Sequence, residues 1–115
     1  MPISDGHARN LHAYWDTGVV EALGASAREI AAKLDSGIMP TAEKAWSRGD
    51  ARTWAMESFQ SSRRDTYKLP AQPTCNDHAS VALSDAYLTV ARRDAAIQLE
   101  KAGIRMAFLL NHALR

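Results

Sequence analysis

Apolar positions along this chain fall into helical spacing almost throughout, and the alternation expected of half-buried strands is nearly absent. Leu11, Trp15, Val19 and Leu23 recur every four residues and predict one buried stripe on a first helix. Asn10 is placed to cap that helix through its side-chain oxygen, and Gly24 suits its end. A second helix opens at Ser26-Ala27-Arg28-Glu29, which has the spacing of a capping box, and turns Ile30 and Leu34 inward. Asp35-Ser36-Gly37 stops it. Pro40 and Thr41 start a short helix through Trp46, Arg48-Gly49 breaks it, and Asp50 can cap a further helix reaching about Asp65. Trp54, Ser58 and Ser61/Ser62 give that helix a narrow inward face. The two prolines of Leu69-Pro70-Ala71-Gln72-Pro73 mark a loop.

The last segment carries the longest pattern. Leu88, Ala91, Ala95, Leu99, Ala102, Met106, Leu109 and Ala113 step by threes and fours and predict a continuous buried stripe on a long helix. Tyr87, Val90, Ile104 and Phe108 widen it, while Asp94, Gln98, Lys101 and Arg105 are expected to face water. Gly103 costs about 1 kcal/mol relative to alanine inside a helix, which predicts a close helix–helix contact there.

Composition changes this picture little. The 115 residues make one domain by length, and 46% hydrophobic with 23% charged residues is ordinary for a globular chain. A net charge of +1 gives no field strong enough to gather nucleic acid or an anionic membrane. A bound metal ion can supply positive charge locally that a count of Lys and Arg misses. The lone Cys75 allows no disulfide within the chain, and no apolar run reaches the length of a membrane span, so no membrane partner is expected. The first residues lack the basic start and apolar stretch of a signal peptide.

One constellation carries chemistry. His12 and Asp16 lie four residues apart, which puts an imidazole and a carboxylate on one face, one turn apart. Both are good zinc ligands at about 2.0–2.2 Å. The same spacing also fits a surface pair worth a few tenths of a kcal/mol. A zinc site wants three or four protein ligands. His7, His78 and His112 are scattered, and of these His7 alone precedes His12 closely enough to fold back on it. Arg63-Arg64 and Arg92-Arg93 read as solvated basic pairs, and Glu57-Ser58 as structural and packing residues, since no histidine is near them in sequence. No nucleophile elbow, phosphate-binding glycine loop or paired-cysteine site is present.

The string Asn10-Leu11-His12-Ala13-Tyr14-Trp15-Asp16 resembles the segment N-L-H-x-x-W-D of S1/P1-type nucleases. Trp54-Ala55-Met56-Glu57-Ser58 resembles that family's W-A-x-E-S helix. Tyr87, then Gln98-Leu99-Glu100-Lys101-Ala102-Gly103-Ile104-Arg105-Met106-Ala107 and Leu109-Leu110-Asn111, resemble its final helix. Three motifs in the right order are far more specific than one. The family shares its fold with a bacterial phospholipase C, whose branch has Glu where this chain has Asp16, so the resemblance lies on the nuclease side.

The resemblance implies an all-α fold: a helical-bundle fragment with a long C-terminal helix, part of the phospholipase C/nuclease fold. Residues 1–115 would be the C-terminal portion of a longer nuclease domain, whose N-terminal half carries the other ligands. The family's complete site holds three zinc ions, and His12 and Asp16 look like ligands of the third, more exposed one. The implied function is a zinc-dependent endonuclease and 3′-nucleotidase acting on single-stranded DNA, RNA or nucleotides. No catalytic base is expected from this segment. The isolated chain is expected to be inactive, and the complete enzyme secreted or periplasmic. The alternative is a non-catalytic helical interaction module built on the same scaffold.

Overall fold

The structure, a computed structural model, describes residues 10–69 and 80–115. His7, Cys75, His78 and the double-proline loop lie outside these residues. All regular elements among the described residues are helical. The first helix is a composite: α1 (Leu11–Ala13), a π-helical turn (Tyr14–Gly18) and α2 (Val19–Glu21) follow without a break. Then come α3 (Ala27–Gly37), α4 (Pro40–Trp46), α5 (Ala51–Ser61), a second π-helical turn (Ser62–Thr66) and α6 (Asp85–Ala113).

The predicted caps are in place. The Asn10 side chain accepts from the Ala13 amide at 2.9 Å, and Ser26 Oγ accepts from the Glu29 amide at 3.2 Å. The reciprocal capping box forms instead at Asp50 and Thr53, where the Asp50 carboxylate accepts from the Thr53 amide at 2.8 Å and Thr53 Oγ1 accepts from the Asp50 amide at 3.0 Å. Gly49 enters that cap at φ +95°, a left-handed conformation that glycine adopts without strain. The first helix stops at Glu21 rather than running to Gly24. Gly24 serves a close approach instead, since a Cβ there would meet Ile30 Cγ1 at 2.9 Å.

The core lies between the first helix and the N-terminal half of α6. Leu11, Tyr14 and Val19 pack with Tyr87, Ala91 and Ala95, and Trp15, Val20, Leu69, Leu83 and Leu88 close around them. A helix of 29 residues runs about 43 Å, and α2, α3, α4 and the second π turn lie along it. The molecule is 22 Å in its thinnest direction, which is two helix diameters. Among the described residues the apolar row in the C-terminal half of α6 is left uncovered.

Two expectations about α6 fail. The buried stripe does not continue: Leu99, Met106 and Leu109 are 39%, 60% and 53% exposed. Asp94 and Arg105, expected in water, are buried at 5% and 8% exposure. Beyond Ala95 the seam passes from the apolar row to the row of Asp94, Gln98, Lys101 and Arg105, about 100° round the helix. Gly103 makes no close contact, since a Cβ there would meet nothing within 4 Å. Gly103→Ala is accordingly expected to stabilise the chain by about 1 kcal/mol in urea unfolding.

Asp94 is buried beside the Asp65 carboxyl. Burial first, and then that neighbour, hold Asp94 above the ordinary value of 3.8, while the hydrogen bond from Asp94 holds Asp65 below it. Of the two carboxyls, Asp94 is therefore the later to give up its proton as pH rises, and its buried Oδ2 has no hydrogen-bond partner among the described residues. Its Oδ1 accepts from Arg93 at 2.9 and 3.1 Å. A raised carboxyl value contributes stability that is fully present below 3.8 and lost as pH rises through the folded value. Asp94→Asn keeps a donor without the charge. It should stabilise the chain by about 1 kcal/mol at pH ~7, with the gain shrinking in acid, as read from thermal melts.

Candidate functional site

His12 and Asp16 stand on the outer side of the first helix. His12 Nε2 lies 2.9 Å from Asp16 Oδ2, with side-chain exposures of 85% and 61%. Ordinary α-helical steps of 100° would carry position i+4 about 40° past position i. The π turn that begins at Tyr14 closes its hydrogen bonds at i→i+5, so each residue advances by less and the overshoot shrinks. The widened turn thereby brings the carboxylate nearly into line with the imidazole.

The π turn also explains why the apolar stripe of the first helix repeats every four residues. In a pure α-helix such a stripe would drift; here it stays in register, and Leu11 and Val19 are both buried. Tyr14, between them, is buried at 2% exposure, and it belongs to the core although the four-residue stripe omits it.

Trp15, which sits between the two candidate ligands in sequence, faces the other way. Its indole Nε1 donates to Tyr87 Oη at 2.9 Å, and Tyr87 Oη donates to the Thr66 carbonyl at 2.7 Å. Its spacing places Tyr87 on the apolar face of α6. Its role as a polar joint depends on a contact 72 residues away from Trp15, which no local pattern encodes.

The other two motifs meet each other. Glu57 of α5 binds Lys101 Nζ through Oε1 and Arg105 Nη2 through Oε2, each at 2.8 Å. Arg105 Nε also donates to the Trp46 carbonyl at 3.1 Å, and its guanidinium lies 5.1 Å from the centre of the Trp54 ring. Ser58 Oγ donates to Gln98 Oε1 at 3.4 Å, and Trp54 Nε1 donates to the Arg48 carbonyl at 2.8 Å. These motifs lock α5 and α4 onto α6. Burial pushes the Glu57 carboxyl up, but the hydrogen bonds and charges of Arg105 and Lys101 outweigh it and hold the group below its ordinary 4.5.

As a zinc half-site the His12–Asp16 pair fits in donor type and reach. A tetrahedral ion with bonds of 2.0–2.2 Å sets neighbouring donors roughly 3.4 Å apart. Opening the observed 2.9 Å to that value takes a small rotamer adjustment of two exposed side chains. Among the described residues no third His, Cys, Asp or Glu joins them in a cluster that could hold a metal. His112 is engaged at the far end of α6, with Nδ1 2.8 Å from the Phe108 carbonyl. One arginine of each basic pair is engaged by a carboxylate: Arg64 binds Asp65 at 2.7 Å and Arg93 binds Asp94 at 2.9 Å. No helix among the described residues is long and apolar enough to cross a membrane.

Neither the curated proteins nor the solved structures give a match to the chain. The family model described as S1/P1 Nuclease matches residues 3–115. It spans the His12–Asp16 turn, the α5 motif and the whole of α6 in one alignment, so the chain belongs to the S1/P1 nuclease family.

Proposed function

We propose that this chain supplies one half of a zinc site, through His12 Nε2 and Asp16 Oδ2, to a nuclease that hydrolyses phosphodiester bonds of single-stranded nucleic acid. The observation that carries the reading is the 2.9 Å pair on a widened helical turn, exposed to solvent, inside a chain of nuclease family. The imidazole gives a neutral nitrogen donor and the carboxylate an anionic oxygen donor, a combination suited to a catalytic zinc that keeps positions open for substrate. Zinc held there supplies Lewis acidity and positive charge towards a phosphate oxygen. The remaining donors of a full site come from outside the described residues.

The exposed apolar side of α6 favours a second reading. Met106, Leu109, Leu110 and Leu114 are 60%, 53%, 51% and 82% exposed, a surface suited to a non-catalytic module that keeps the scaffold and binds a protein. Elemental analysis of the purified chain after dialysis against zinc separates the two. The proposal expects less than one zinc per chain, lost in Asp16→Ala. Equal zinc content in the wild type and the variant would overturn it, and a zinc-free chain would favour the module.

A further inference from the structure

The His12–Asp16 pair is aligned by a π turn, and π turns are rare because α-helical hydrogen bonding suits the backbone better. Something outside the turn has to hold it. One polar side chain of the turn, that of Trp15, reaches across the core, and its indole N–H ends on Tyr87 Oη at 2.9 Å. Tyr87 is 8% exposed, and its ring stands edge-on to Trp15 with centroids 6.4 Å apart and planes at 83°. Tyr14 packs edge-on against the same indole at 6.3 Å. The orientation of the Trp15 ring is thus fixed by two aromatic edges and one hydrogen bond.

The hydroxyl has one proton to give, and it gives it to the Thr66 carbonyl at 2.7 Å. Thr66 is the last residue of the second π turn. A single oxygen on α6 therefore ties both π turns to the long helix, accepting from the first and donating to the second. Its own helix start is fixed as well, since Ser84 Oγ accepts from the Tyr87 amide at 3.2 Å.

We infer that Tyr87 is a positioning residue for the His12–Asp16 pair: its hydroxyl holds Trp15, and through it the π turn that aligns the two donors. The inference rests on the zinc reading of that pair. Without the hydroxyl, the Trp15 N–H is left without its acceptor in a half-buried place, and the indole shifts to find another. The turn then loses its anchor and relaxes towards α-helical register. Asp16, the residue next to Trp15, rotates away from His12, and the two donors no longer meet at one point.

Zinc titration of the full chain by calorimetry tests this, with the fold followed by circular dichroism. Tyr87→Phe removes one oxygen and keeps the ring. It should fold and lose zinc affinity on the order of tenfold, as expected when a partner orienting a ligand is removed. Trp15→Phe cuts the same bond from the other end, and the double variant should bind no more weakly than the weaker single one. Thr53→Val, which breaks the distant capping box at the start of α5, serves as the control: it lowers the melting temperature and leaves zinc affinity unchanged. If Tyr87→Phe does not fold, Trp15→Phe carries the test alone. Wild-type affinity in the folded Tyr87 and Trp15 variants, with binding lost in Asp16→Ala, overturns the positioning role and leaves the zinc reading standing. Wild-type affinity in Asp16→Ala removes the zinc reading and this inference with it.

Discussion

Glu57→Ala is expected to destabilise the chain by about 3 kcal/mol, the low end for breaking a buried ion pair. Arg105 and Lys101 keep side-chain exposures of 10% and 16%, and both end on this one carboxylate. Removing it leaves two cations in a low-dielectric seam. Arginine cannot neutralise itself by losing a proton, so the Arg105 charge stays buried and unpaired. The 38% exposure of Glu57 tempers the loss, because water can enter where the carboxylate stood. Against a total stability of about 5–15 kcal/mol, this is a large fraction. Urea unfolding should show the midpoint falling by between one and two molar, taking a slope of about 2 kcal/mol per molar. Acid should do part of the same. A carboxylate held below 4.5 contributes stability that is present above that value and lost as pH falls through the folded value, and Glu57→Gln should remove that acid dependence.

The second large effect is on metal binding. Asp16→Ala removes one of the two donors that the first helix presents, and zinc affinity should fall by at least the ten- to hundredfold that loss of a supporting partner alone costs. His12→Ala should do the same. Both side chains are exposed and touch little besides each other, so neither substitution should shift the melting temperature by more than a degree or so. A pair that is merely a surface contact contributes a few tenths of a kcal/mol and gives no difference in zinc uptake.

Much of this fold was legible in the chain. The caps at Asn10, Ser26 and Asp50 rest on single side chains acting on amides three residues away, and such local chemistry is written in sequence. The start of the long helix core, Leu88, Ala91 and Ala95, followed from periodicity. The continuation did not, because α6 carries two rows with helical spacing. Which row is buried depends on what lies opposite, and Glu57 opposite Lys101 and Arg105 selects the polar one. The long stems of these side chains cover apolar surface while their charges pair, so a polar row can serve as a seam. The expectation that Gly103 marks a close contact failed as well: a Cβ there would meet nothing within 4 Å, because that side of α6 faces open space.

Of the candidate site, the spacing of His12 and Asp16 gave the pair, and the π turn that aligns them left a trace in the strict four-residue repeat of Leu11, Trp15 and Val19. The Tyr87 joint left none. Its hydrogen bonds reach Trp15 and Thr66, residues 72 and 21 positions away, and nothing in a tyrosine on an apolar face announces that its hydroxyl is used. The opposed shifts of Asp65 and Asp94 are of the same kind, a property of two elements brought together.

The most direct test of the zinc half-site is a zinc titration followed by nitrogen-15 NMR of the histidine side chains. The account predicts that the His12 Nε2 resonance moves with added zinc, that His112 does not follow it, and that Asp16→Ala abolishes the shift. A zinc response confined to His112, or a His12 resonance that stays in place while zinc binds elsewhere, would contradict it.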